Sequence, residues 1–178
     1  MRSALICGLV ASTLALCHAT TLQQLSLDDM TRKSTTIVRG VVQLTRGAMH
    51  GGNIYTHYTV QVAEQWKGTP ALQIDFVLPG GTANGLQQSI AGTPVLGNGQ
   101  EYVLFLWKSR SGLTQVIGLS QGVFVSTNGL VTRPAISESM LSSNGASVQD
   151  PGMQMTLPAM RSQVMTVLGG LVNGGPSH

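Results

Sequence analysis

The pentapeptide Gly118-Leu119-Ser120-Gln121-Gly122 has the G-x-S-x-G spacing of a nucleophile elbow, and Asp150 and His178 follow in the order of a serine hydrolase triad. An elbow requires a strand before the serine and a helix after it, so that a strained turn exposes the hydroxyl. Here Val123-Phe124-Val125 follows, which predicts a strand. Asp150 falls in a polar stretch that reads as a loop, and His178 ends a Gly-rich tail. A free tail cannot hold a base within hydrogen-bond reach of a hydroxyl. The pattern therefore predicts a tight turn between strands, and a small secreted hydrolase is kept as an alternative function.

The other chemistry-bearing residues are sparse. His50 and His57 flank a predicted hairpin turn, but a zinc site takes at least three protein ligands and no third has a telling spacing. Of seven acidic residues, Asp28 and Asp29 are explained by a helix start. An acid–base pair could still be drawn from Glu64, Asp75 and Glu101. Pro79-Gly80-Gly81-Thr82-Ala83-Asn84-Gly85 is loop-like but lacks the Lys and the following helix of a phosphate loop. The basic residues are scattered, which argues against nucleic-acid binding. No catalytic, cofactor or metal set is predicted. Trp107 lies in a doubly apolar stretch and reads as core, whereas Trp66 reads as half exposed beside Lys67-Gly68. Trp66, Lys67, Gly80 and Gly81 are the candidate interaction residues.

The elements that would carry these residues are mostly strands. Ser26-Leu27-Asp28-Asp29 predicts a capped helix ending by Ser34. Thr36–Leu44 and Tyr55–Ala63 predict a long hairpin, with Tyr58, Val60 and Val62 on one face and His57, Thr59 and Gln61 on a wet one. Leu72–Leu78 is a further strand. Glu101–Trp107 is apolar on both faces, the mark of a central covered strand. Leu113–Leu119 and Gly122–Ser126 follow, and Asn128-Gly129 predicts a tight hairpin into Leu130–Thr132. Ala135–Leu141 predicts a helical turn or two, and Ser142–Thr156 a flexible loop. Leu157–Leu168 predicts an amphipathic helix, with Pro158 in its first turn and Gly169-Gly170 at its end. The expected fold is mainly β: a small antiparallel OB-like barrel or curved sheet with a short N-terminal helix and a C-terminal helix.

The N-terminus predicts export. Met1-Arg2 leads an uncharged apolar run to Cys17, with small residues at Cys17 and Ala19, as in a secretory signal peptide. Residues 1–19 are expected to be removed, residues 20–170 to form a single domain, and residues 171–178 to be a flexible tail. Acylation at Cys17 is the alternative, but Leu16 stands where a lipobox has a small residue. Either route predicts a periplasmic or extracellular protein with no transmembrane span after processing. Cleavage after Ala19 removes both cysteines, so disulfides cannot hold the mature domain together.

Three blocks resemble a group of uncharacterised exported bacterial proteins: Tyr55-Thr56 with Val62-Ala63-Glu64-Gln65-Trp66-Lys67-Gly68; Pro79-Gly80-Gly81 with Gly92-Thr93-Pro94 and Gly99–Leu106; and Val116-Ile117-Gly118-Leu119-Ser120-Gln121-Gly122-Val123-Phe124. The order of elements is also similar to the netrin-like and tissue-inhibitor-of-metalloproteinase barrels. The inhibitory N-terminal Cys of that group is missing from the mature chain, so its mechanism does not transfer. Together these readings predict an exported non-catalytic module that binds another exported protein or an envelope component. A protease-associated inhibitor or chaperone is a further alternative.

Overall fold

The computed structural model describes residues 21–173, with the side chains of Thr45, Val172 and Asn173 excepted. The predicted leader, the processing site and His178 lie outside this range. The first elements are a two-residue strand β1 (Leu22–Gln23) and helix α1 (Leu27–Lys33). Ser26 caps α1 as predicted. Its Oγ accepts from the Asp29 N–H at 3.0 Å, and the Asp29 carboxylate accepts from the Ser26 N–H at 3.2 Å. Such a box satisfies two helix-end donors at once and stabilises by about 1 kcal/mol.

Two long strands follow, β2 (Thr36–His50) and β3 (Asn53–Lys67), joined at Gly51-Gly52. They extend beyond the predicted hairpin at both ends. Next come β4 (Gln73–Pro79), a small hairpin of β5 (Gly81–Ala83) and β6 (Leu86–Gln88), then β7 (Glu101–Lys108) and β8 (Thr114–Val116). Strand β2 pairs antiparallel with both β3 and β7, and β3 pairs antiparallel with β4. Strand β8 joins β4 in parallel at Val77–Gln115 and β7 antiparallel at Leu106–Val116. Five strands therefore close a barrel in the order β2-β3-β4-β8-β7 and back to β2. Closure leaves no open edge in that ring.

Bulges supply the bend. The β2–β3 register shifts at Ile37/Val38, Arg39/Gly40 and Leu44/Arg46. Each shift kinks and twists the ladder locally. At Gly40 the strands come so close that a Cβ would lie 2.0 Å from the Gln61 carbonyl oxygen. Only glycine fits there.

On the edge of β7 left free by β8, the sheet continues through β9 (Val123–Thr127), β10 (Leu130–Arg133) and β13 (Met153–Thr156). The Asn128-Gly129 turn links β9 to β10 as predicted, with both residues at positive φ. A separate small sheet joins β1 in parallel to β11 (Ile136–Leu141), and β11 to β12 (Ser147–Asp150). Helix α2 (Leu157–Asn173) closes the described chain.

The alternation along β7 explains its apolar character. Tyr102, Leu104 and Leu106 point into the barrel with Val38, Val60 and Phe76. Val103 and Phe105 point outward, where Leu27 and Met30 of α1 and Met160 and Val164 of α2 cover them. One strand thus serves two cores. Val103 through Leu106 are fully buried.

Three sequence expectations are corrected. Ala135–Leu141 is not helical, since Ile136–Leu141 is strand β11. Ser142–Thr156 is not a loop throughout, since it carries β12 and β13. Its Ser and Gln residues take the outer positions of those strands, and the turn proper is short, with Ser142 bonded to the Ala146 carbonyl. Helix α2 also runs through Gly169-Gly170 to Asn173. Glycine costs an established helix only about 1 kcal/mol per residue, and unlike proline it leaves the hydrogen-bond ladder intact. Residues 171–173 of the expected tail are therefore helical.

Candidate functional site

The acid pair is brought together, but by an arginine. Glu64 of β3 and Glu101 of β7 flank Arg39 on β2. Arg39 Nη2 donates to Glu64 Oε1 at 2.7 Å, and Nη1 donates to Glu101 Oε1. Glu101 Oε2 accepts from Ser126 Oγ at 2.6 Å, and Glu64 Oε2 accepts from the Trp66 indole N–H at 3.1 Å. The Trp66 indole, and then Arg39, hold the Glu64 carboxyl below the usual carboxylate range. A general acid needs the opposite shift. The same carboxylate edges an open cleft of about 850 Å³ against α2, walled by Pro158, Arg161 and Met165. Asp75 is elsewhere, accepting from Thr59 Oγ1 at 2.7 Å.

Trp66 is not half exposed. It is a buried member of the core under the helices. The register shift at Ile37/Val38 passes over it and takes it out of strict alternation. Trp107 is the more exposed tryptophan, at 36%. It follows Phe105 on the outward side of β7 but lies beyond the helix-covered core. Lys67 Nζ donates to the Thr31 and Arg32 carbonyls at 2.7 and 3.0 Å, capping the C-terminal end of α1. Burial pushes its pKa down.

Gly80 and Gly81 lie far from Trp66. The Gly80 N–H donates to Ile54 O at 2.7 Å, at the start of β3, whereas Trp66 is near its end. The two halves of the predicted interaction set thus sit at opposite ends of one strand. Gly80 and Gly81 have φ of 90° and 120°, and a Cβ on Gly81 would lie 2.2 Å from Thr56 Oγ1. This sharp bend folds the β5–β6 hairpin back over the β2–β3 hairpin, where Gly47 meets the Thr82 carbonyl. A cavity of about 200 Å³ opens beside the bend, walled by Thr56, Tyr58, Leu78, Gln88 and Val95. From Pro79 to Gln100 the chain carries no charged residue. Val95 is 92% exposed and Leu86 60% exposed on this end.

Ser120 occupies a 3-10 turn (Leu119–Gly122) that leads directly into β9. The turn starts with Gly118 and Leu119 at φ of 60° and 57°. The buried Gln121 side chain bonds the Leu25 N–H at 2.7 Å and the Gln23 carbonyl at 2.9 Å, so this turn pins the N-terminal segment. Among the described residues, which do not include His178, no histidine walls the cavity beside Ser120. Asp150 is buried and ion-paired with Arg133, whose Nη2 donates to both carboxylate oxygens at 3.0 and 2.9 Å. Sequence reasoning missed this pair.

His50 and His57 sit on the two arms of the β2–β3 hairpin. His50 meets Tyr55 edge-on at 6.2 Å. Burial, then the charge of Arg46, holds His57 below the usual imidazole range. Among the described residues no three His, Cys, Asp or Glu side chains gather as a metal site would need. Among the same residues no helix is long and apolar enough to cross a membrane. No family model, no curated protein and no solved structure matches the chain.

Proposed function

We propose that this protein is an exported interaction module, freed of residues 1–19 and working in the periplasm or outside the cell. Its partner is another exported protein or an envelope component. The reading is carried by the uncharged end of the barrel around Gly80-Gly81, where Val95 and Leu86 stand exposed beside a small cavity. An apolar patch framed by neutral polar groups suits contact with a second surface. The chain holds it in place through the two-glycine bend and the Gly47–Thr82 approach, so the loops are pre-formed and lose little entropy on docking.

Support for a binding role also comes from the acids. Glu64 and Glu101 are held by Arg39, Ser126 and Trp66 in a network that satisfies them. Catalysis uses groups with pKa values shifted toward the working pH and aimed at a cleft. Lys67 and Trp66 leave the proposed contact set, because both are used to hold helices to the barrel. Gly80 and Gly81 remain in it as the residues that shape the rim.

Affinity capture from secreted and envelope fractions tests the reading. Wild-type protein should retain a defined partner, and Val95→Asp should weaken retention at least tenfold, about 1.4 kcal/mol. Reproducible turnover of a substrate by pure protein would contradict it.

A further inference from the structure

The basic residues stand scattered in the sequence, but the fold gathers five of them at one pole. Strand β2 begins where β3 and β7 end, since Thr36 pairs with Leu106 and Ile37 with both Lys67 and Phe105. The end of α1 is fixed there as well, because the Thr35 N–H donates to the Leu106 carbonyl at 2.8 Å. Strands β4 and β8 start on the same side, β4 antiparallel to β3 and β8 antiparallel to β7.

Arg32 and Lys33 close α1, Lys67 closes β3, Lys108 closes β7, and Arg110 lies in the turn from β7 to β8. Lys67 is half-buried, and its bonds to the Thr31 and Arg32 carbonyls bring the strand end against the helix end. The other four are exposed. Among the described residues none of the five forms a salt bridge; Arg39, Arg133 and Arg161 are the cations that do. The segments that build the pole, residues 30–37, 66–74 and 105–118, contain no acid. Asp29, one turn back on α1, acts on Lys33 and Arg32 through its charge but is bonded to Ser26. Asp75, further along β4, is bonded to Thr59.

The overall charge conceals this asymmetry. Residues 21–173 hold nine basic and seven acidic side chains, a formal charge of +2. The pole carries +5 of it, so the four basic and seven acidic residues elsewhere sum to −3. Two large apolar side chains stand out beside the cations. Leu72, just before β4, is 89% exposed, and Trp107 adjoins Lys108 with 36% exposed.

That combination selects a class of partner. A polyanion in water, such as a nucleic acid, uses the cations but offers an exposed leucine no apolar surroundings. A bilayer with anionic headgroups uses both. Its surface attracts each Lys or Arg by about 1 kcal/mol. Leucine enters the acyl boundary, and tryptophan sits at headgroup level. We propose that this basic pole seats the protein on an anionic phospholipid surface. Ile54, which holds Gly80, is at the start of β3 and Lys67 at its end, so the Gly80 rim is turned away from the lipid. The proposal does not rest on what that rim binds.

Flotation of the full processed protein with vesicles tests it. One set is phosphatidylcholine alone, and the other is phosphatidylcholine and phosphatidylglycerol in equal parts. Binding should require phosphatidylglycerol and weaken as salt is raised. Lys108→Gln and Arg110→Gln change exposed side chains outside any salt bridge, so the fold is kept. Each should weaken binding about fivefold, and the double variant about twenty-fivefold. Leu72→Gln should also weaken it, whereas Leu86→Asp, at the opposite end, should not. Double-stranded DNA is the polyanion control. Equal binding to both vesicle types, binding to neither, or anionic-vesicle binding unchanged in the double variant would overturn the proposal. Retention by DNA but not by the anionic vesicles would overturn it in favour of a soluble polyanion.

Discussion

Replacing Arg133 with methionine tests whether the Arg133–Asp150 pair is structural. Methionine keeps the length of the stem and can still pack on Phe124, whose ring centre lies 5.8 Å from the guanidinium carbon. What it removes is the cation paired with Asp150, which is 4% exposed. Asp150 Oδ1 also accepts from the Gly152 N–H at 2.7 Å, a neutral donor that does not offset the charge. An uncompensated buried charge costs about 3–5 kcal/mol. For a domain of about 150 residues that lowers Tm by roughly 6–20 °C. Urea unfolding should show the loss as a lower midpoint at unchanged slope. The double variant Arg133→Met/Asp150→Leu should recover most of it, because it leaves no orphaned charge. A loss below about 1 kcal/mol in the single variant, or a double variant as unstable as the single, would refute the reasoning.

Other outcomes follow from the same geometry. Gly40→Ala should destabilise by at least about 3 kcal/mol by urea unfolding, because its Cβ would overlap the Gln61 carbonyl 2.0 Å away; near-wild-type stability would mean the bulge relaxes freely. Glu64 is held below its usual pKa by the Trp66 indole first, so its stabilisation is present above its unfolded pKa of about 4.3 and lost as pH falls through the folded value. The stability gap between wild type and Trp66→Phe should therefore narrow between pH 7 and pH 3 in urea titrations, and a constant gap would count against the assignment. Ser120 should resist a serine-reactive phosphonate, since its turn feeds a strand and no histidine among the described residues walls its cavity; stoichiometric labelling would reopen the hydrolase reading.

The barrel was legible because its strands alternate and its turns carry Gly and Asn. The double-faced strand at Glu101–Trp107 announced that two cores share it, and the helices that make the second core were marked by Ser26 and by Met160, Val164 and Val167. What misled was polarity. Ser142–Thr156 has few large side chains, so composition pointed to a loop, although Val148 with Asp150 and Met153 with Met155 keep a two-residue period. The same period hides the buried pair. Arg133 is two residues after Val131 and shares its inward face, a signal masked by its charge. The tryptophans were exchanged for another reason. A bulge at Trp66 and the end of helix cover near Trp107 are properties of the pairing, not of either local sequence. At the Gly80 end the glycines marked the bend, but their close contacts with Thr56 and with the Gln88 carbonyl depend on a fold-back that sequence spacing does not reveal.

The central claim is that this protein works by contact through the Gly80 end of the barrel. Site-specific photo-crosslinking measures that directly, with a photoreactive residue at Val95 in one protein and at Leu72 in another. Both positions are about nine-tenths exposed, so reactivity alone does not distinguish them. The account predicts a discrete crosslinked species from Val95 that Leu86→Asp abolishes, and no such species from Leu72. Equal crosslinking at the two positions, or a Val95 product that persists in Leu86→Asp, would contradict it.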